Sequence, residues 1–99
     1  HIGRLRNIFS DYDKVSEYSP RSPFPHYNKG ILYAEMGDLA AALEEFDKAV
    51  ALKEDFGEAY YNRGFVQYKS GNRKEGTADL SRAGQLGITS SYNLLKRMK

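Results

Sequence analysis

Residues 27–30 read Tyr27-Asn28-Lys29-Gly30, and 34 positions later residues 61–64 read Tyr61-Asn62-Arg63-Gly64. The same interval carries Gly37-Asp38 onto Gly71-Asn72, and Glu45-Phe46-Asp47-Lys48-Ala49 onto Asp79-Leu80-Ser81-Arg82-Ala83. Aligned whole, 23–56 and 57–90 share only Tyr, Asn, Gly, Gly, Ala and Leu, and most pairs near these are conservative. Self-similarity at a fixed period of this length marks a stack of supersecondary units. The period extends backwards: Asp11-Tyr12-Asp13-Lys14-Val15 stands 34 residues before Glu45-Phe46-Asp47-Lys48-Ala49, and Gly3 stands 34 before Gly37. By this register the chain is expected to begin inside a repeat, at its central turn.

Local structure follows from the pattern. Leu39, Ala42, Leu43, Phe46, Ala49 and Val50 fall at helical spacing and form one apolar stripe. Before it, Gly37 is suited to close one helix and Asp38 to cap the next. Gly71-Asn72 is expected to serve likewise. Ser19-Pro20-Arg21-Ser22-Pro23 is a break, with Pro25 suited to a first helical turn. Asp55-Phe56-Gly57 is a softer one. Helices are expected at about 4–18, 24–36, 39–53, 58–70, 73–86 and 90–98, and no segment alternates like a strand.

A 34-residue helix–turn–helix unit with Gly in its first helix and small-x-x-x-aromatic in its second resembles the tetratricopeptide repeat (TPR). The first full unit carries Gly30, Tyr33, Ala42 and Phe46 at the family's spacing, with His26 where the family favours Trp and Glu54 where it favours Pro. The second carries Tyr60, Gly64, Gly76 and Leu80, with Gln67 in place of the tyrosine and Gly76 in place of the alanine. The leading half-unit ends in Pro20, as the family does. Ala83-Gly84-Gln85-Leu86-Gly87 before a short helix resembles the endings of many bacterial TPR proteins. The resemblance implies an all-α superhelix of antiparallel helix pairs. Its parts would be a half-repeat over 3–22 (second helix only), repeats over 23–56 and 57–90, and a capping helix over 91–99.

Close packing gives these positions a physical role. Gly30 and Gly64 let neighbouring helix backbones approach, Ala42 and Gly76 do so on the second helix, and Phe46 and Leu80 fill the space left. Lys96, Arg97 and Lys99 suit a helix C-terminus. Ile8 departs from the pattern, standing where later units have Ala42 and Gly76. Helix 4–18 would leave Ile8, Phe9 and Tyr12 uncovered on one side. Either Ile8 partly fills that gap and the helix caps the stack, or upstream sequence in a longer protein, or self-association into a homodimer, covers them.

By the resemblance, first helices line a concave groove that holds peptides. The groove residues would be Tyr27, Asn28, Ile31, Ala34 and Glu35, then Tyr61, Asn62, Phe65, Tyr68 and Lys69. Tyr61, Phe65 and Tyr68 share one helical face by spacing alone. Asn28 and Asn62 are mid-helix amides with poor helix propensity, which suits a ligand-contacting role. Family members that clamp a C-terminal carboxylate place Lys and Asn on successive groove helices. Here Tyr27, Ile31, Tyr61 and Phe65 hold those places and only Asn62 survives, so no such clamp is expected. The expected partner is a protein or peptide, held in an apolar, aromatic groove with Glu35 and Lys69 at its edge.

Composition supports this class. The chain has 99 residues, a net charge of +2, no Cys, eight Tyr and five Phe. Without cysteine there is no disulfide, thiolate nucleophile or thiolate metal site. No apolar run nears the roughly 18 residues of a membrane span, so no membrane contact is expected. There is no signal-peptide pattern; the cytoplasm is the expected compartment, with the periplasm left open because the chain starts at His1. Acidic residues intersperse Arg4, Arg6, Arg63, Lys69, Arg73 and Lys74, so nucleic-acid binding is not expected. His1 and His26 lack partners at metal-ligand or triad spacing, and His26 occupies a packing position. Gly71-Asn-Arg-Lys-Glu-Gly76-Thr77 lacks the Lys and the strand of a phosphate loop. Neither catalytic residue nor cofactor is expected.

Overall fold

The computed structural model describes residues 21–98. The expected helix over 4–18, with Ile8, Phe9 and Tyr12, lies outside them. Five helices follow in order: α1 (Phe24–Glu35), α2 (Leu39–Leu52), α3 (Gly57–Lys69), α4 (Arg73–Gln85) and α5 (Ser90–Arg97). Each begins and ends within a residue or two of its expected place. Consecutive helices pack on one another, and α1 also touches α3. The architecture is an all-α stack of helical hairpins.

The two hairpin turns are built alike. Gly37 has φ +84° and Gly71 φ +93°, a conformation that costs L side chains steric strain. Around Gly37, the Asp38 amide donates to the Tyr33 carbonyl at 2.9 Å and the Gly37 amide to Ala34 at 3.0 Å. Around Gly71, the Asn72 amide reaches Gln67 at 2.9 Å and the Gly71 amide reaches Tyr68 at 3.1 Å. This paired closure satisfies the last carbonyls of each first helix. The restarts differ. Asp38 Oδ1 accepts from the Ala41 amide at 3.2 Å, whereas the Asn72 side chain makes no cap bond. The expectation that Asn72 caps as Asp38 does is corrected here. Pro23 and Pro25 open α1, where the first turn's amides have no helical acceptor to lose.

Between paired helices a small residue meets a large one or bare backbone. A Cβ placed on Gly30 would stand 2.6 Å from the Phe46 ring. In the second hairpin the approach is tighter: a Cβ on Gly64 would lie 2.8 Å from the Gly76 carbonyl oxygen, and one on Gly76 2.7 Å from that of Gly64. Gly64 and Gly76 therefore let α3 and α4 touch backbone to backbone. The stripe of α2 is inside as expected: Ala42, Phe46, Ala49 and Val50 are buried. Phe56, Ala59, Val66, Leu80 and Ala83 continue the core along the stack.

Each hairpin also carries one carboxylate inside. Glu45 on α2 is buried and bonds His26 Nδ1 at 2.9 Å, with Lys48 at 3.3 Å and Lys29 at 3.8 Å. Asp79 on α4, 34 positions later, is clasped by Arg63 of α3. His26 is thus half-buried in the packing position its place in the repeat implies, held by a carboxylate.

Candidate functional site

The face formed by α1 and α3 holds a cavity of about 390 Å³. Ile31, Ala34 and Glu35 line it from α1, Leu39 from the start of α2, and Asn62, Phe65, Val66 and Lys69 from α3. Phe65 is the chief apolar side chain offered to solvent, 39% exposed, with the Lys69 ammonium 5.5 Å from its ring centroid. Glu35 and Lys69 are both exposed at the last turn of their helices. They place opposite charges on neighbouring sides of the cavity. Its lining is thus apolar in the middle and charged at the ends of its helices, an arrangement that can accept an apolar side chain and orient the charged groups flanking it.

The expected groove residues divide. Ile31, Ala34, Glu35, Asn62, Phe65 and Lys69 come together around the cavity. Tyr27, Asn28, Tyr61 and Tyr68 do not line it. Tyr27 turns inward: its ring lies 4.8 Å from that of Phe56 and 6.1 Å from that of Phe46. Burial raises its pKa above the usual phenol value, the nearby Glu58 carboxylate adds to the rise, and the Asn62 bond opposes it. Tyr68 turns toward the end of the stack. Its hydroxyl lies 3.5 Å from the Met98 carbonyl oxygen, and the Arg73 guanidinium lies 5.3 Å from its ring centroid. Asn28 and Tyr61 are half-buried on their helices.

Asn62 does two jobs on one amide. Its Nδ2 donates to the Tyr27 hydroxyl at 3.1 Å and to the Glu58 carbonyl at 2.9 Å. Both donors are thereby committed inside the fold. The side chain couples α3 to α1 across the floor of the groove. Leu39 and Val66 were not expected in the lining. Leu39 follows the turn and was assigned by helical spacing to the packing stripe of α2, while Val66, a core residue beside Phe65, was not singled out.

The basic residues considered for nucleic acid are partly spent within the protein. Arg63 donates to Asp79 and to Asp47 at 3.0 Å, and Arg73 donates to the Met98 carbonyl at 3.2 Å. Among the described residues no group of His, Cys, Asp and Glu is arranged to hold a metal ion. No helix among them is long and apolar enough to cross a membrane.

Comparison with known proteins agrees with this architecture. Residues 32–71 match the family described as TPR repeat. The chain is 29% identical over 80 residues to DnaJ homolog subfamily C member 3 of Mus musculus, covering 81% of this chain and 16% of that protein. The Homo sapiens counterpart is 28% identical over the same length. The chain thus spans about a sixth of these relatives. Among solved structures, the first TPR of Spaghetti (RPAP3) bound to the HSP90 peptide SRMEEVD superposes with a TM-score of 0.87 at 24% identity, covering 96% of this chain and 77% of that one. YrrB, described as a TPR protein with an unusual peptide-binding site, superposes with a TM-score of 0.74 at 27% identity, covering 78% of this chain and 40% of that one. The 34-residue period, the matched turns and these likenesses converge on a stack of helical hairpins of the tetratricopeptide type, with residues 32–71 matching the repeat family itself.

Proposed function

We propose that this chain is a protein- or peptide-binding scaffold whose ligand seats in the cavity between α1 and α3. The observation that carries the reading is the exposed Phe65 ring set among Ile31, Ala34 and Leu39, with Glu35 and Lys69 beside it. An apolar ring standing in a concave, partly polar surface is the form of a binding hot spot. The likeness to YrrB, described by its peptide-binding site, supports the class of ligand. The favoured ligand is a segment with an apolar anchor, a basic group toward Glu35 and an acidic group toward Lys69. The test is a peptide-array screen followed by titration calorimetry of the best binders on the wild type, Phe65→Ala and Tyr61→Ala. Loss of binding on Phe65→Ala with helicity kept supports the groove. Undiminished binding by Phe65→Ala sinks it.

Self-association is the second reading, through Ile8, Phe9 and Tyr12. One observation favours it: an open seat at the far end of the stack, between α4 and α5, of about 410 Å³.

A further inference from the structure

The two ends of the Asn62 amide differ in what they leave for a ligand. The Glu58 carbonyl, 2.9 Å from Nδ2, can only accept, so the amide nitrogen must face it. A flipped amide would set oxygen against oxygen there. With the nitrogen so placed, its second hydrogen goes to the Tyr27 hydroxyl at 3.1 Å. What remains is Oδ1, which accepts from no donor among the described residues. Among those residues only Ser91 Oγ is buried without a partner, so Asn62 Oδ1 reaches solvent. Asn62 lines the cavity between α1 and α3, and the polar atom it has left there is an acceptor.

Glu58 adds a second acceptor. It precedes Asn62 by four residues, one turn earlier on the same face of α3. Its carboxylate acts on the phenol of Tyr27, the group that Asn62 holds, which sets the two side chains side by side. Glu58 is exposed, and among the described residues it forms no ion pair. One face of α3 thus runs Glu58, Asn62, Phe65, Lys69. The Lys69 end is balanced: its ammonium lies over the Phe65 ring, and Glu35 lines the same cavity from α1. The Glu58 end has acceptors alone. A ligand carboxylate placed there would find no donor and would meet a like charge. A guanidinium or an ammonium brings several N–H donors and the opposite charge, and can serve both oxygens at once.

We infer that the groove selects a basic ligand: a Lys or Arg side chain of the bound segment donates to Asn62 Oδ1 and to the Glu58 carboxylate, beside an apolar residue seated on Phe65. The inference rests on the groove reading and names the chemistry of its second subsite.

An array of short peptides tests this, each with one fixed Leu or Phe anchor and with Arg, Ala or Glu at every flanking position in turn. The wild type, Phe65→Ala and Glu58→Lys are each used as probe, and titration calorimetry then measures the best Arg peptide and its Ala and citrulline counterparts. Circular dichroism monitors the fold; Glu58 is exposed, so its reversal leaves the packing untouched. Arg should be enriched at a fixed offset from the anchor. Citrulline, which keeps the shape but not the charge, should bind about tenfold more weakly. Glu58→Lys should turn the preference at that offset from Arg to Glu. Asn62→Leu also loses the tie to Tyr27, a cost that falls on every peptide alike, so its readout is a difference: the Arg peptide should lose about tenfold more affinity than the Ala peptide. Binders that need Phe65 but show no preference for Arg, or keep that preference on Glu58→Lys, overturn the inference while leaving the groove standing. Equal losses of the Arg and Ala peptides on Asn62→Leu overturn it too. An array that yields no binder, or only binders indifferent to Phe65→Ala, overturns the groove reading and the inference together.

Discussion

Arg63 of α3 grips Asp79 of α4 with two hydrogen bonds of 2.8 Å, one from Nε and one from a terminal nitrogen. Its other terminal nitrogen reaches Asp47 of α2 at 3.0 Å, so one guanidinium ties three helices. The pair holds the Arg63 pKa above its ordinary value, chiefly through the Asp79 hydrogen bonds and against the cost of burial.

Arg63→Met should therefore destabilise the fold by about 3 kcal/mol, because it leaves Asp79 mostly buried without a countercharge. Arg63→Lys keeps the charge but loses the fork, and should cost about 1–2 kcal/mol. The double change Arg63→Met with Asp79→Leu should cost much less than the first alone. Urea unfolding followed by circular dichroism reads all three. Equal losses for the single and double variants would show that the pair is not coupled.

Gly64→Ala should lower stability by about 2 kcal/mol. Alanine's better helix propensity offers about 1 kcal/mol, but its Cβ meets the Gly76 carbonyl, which is backbone and cannot swing aside. Gly84→Ala is the comparison. There the obstacle is the Tyr92 ring at 2.6 Å, and Tyr92 is 47% exposed and free to turn outward. Its loss should be clearly the smaller in thermal melts.

The turn caps give a contrast between equivalent positions. Asp38→Ala removes a side-chain acceptor from the Ala41 amide and should cost about 1 kcal/mol. Asn72→Ala removes no such bond and should cost less. A larger loss at Asn72, in denaturant unfolding, would refute the assignment of these caps.

Tyr27 links stability to alkaline pH. Its folded-state pKa lies above the usual value near 10, so the folded state holds the phenolic proton longer than the unfolded one. That contribution is constant below the unfolded pKa and is lost as pH rises from there through the folded pKa. Glu58→Gln should lower the Tyr27 pKa by removing a like charge. Asn62→Leu should raise it by removing a donor to the phenolate. Phenolate absorbance during titration, with Tyr27→Phe as the blank, gives both shifts and their signs.

Much of this was legible in the sequence because a repeat states its own period. The helix ends, the apolar stripe of α2 and the turns at Gly37 and Gly71 follow from local rules of spacing and left-handed backbone, which act within a few residues. The groove was legible only in part. Helical spacing put Tyr61, Phe65 and Tyr68 on one face, yet only Phe65 lines the cavity. A face spans a wide arc, and the neighbouring helix decides which part stays open. Tyr68 meets α5, and Tyr27 meets Phe56 and bonds Asn62; these partners lie 30, 29 and 35 positions away in sequence.

The sequence by itself determined the repeat, its helical class and the positions of its turns, because each depends on residues one or two turns apart. Tertiary structure alone decided that Gly64 meets the bare backbone of Gly76 while Gly30 meets a ring, and that Asn62 spends both amide donors inside the fold. It also decided which side chains stand around the cavity between α1 and α3. Those outcomes depend on the distance and rotation between helices, which emerge only when all the side chains pack at once.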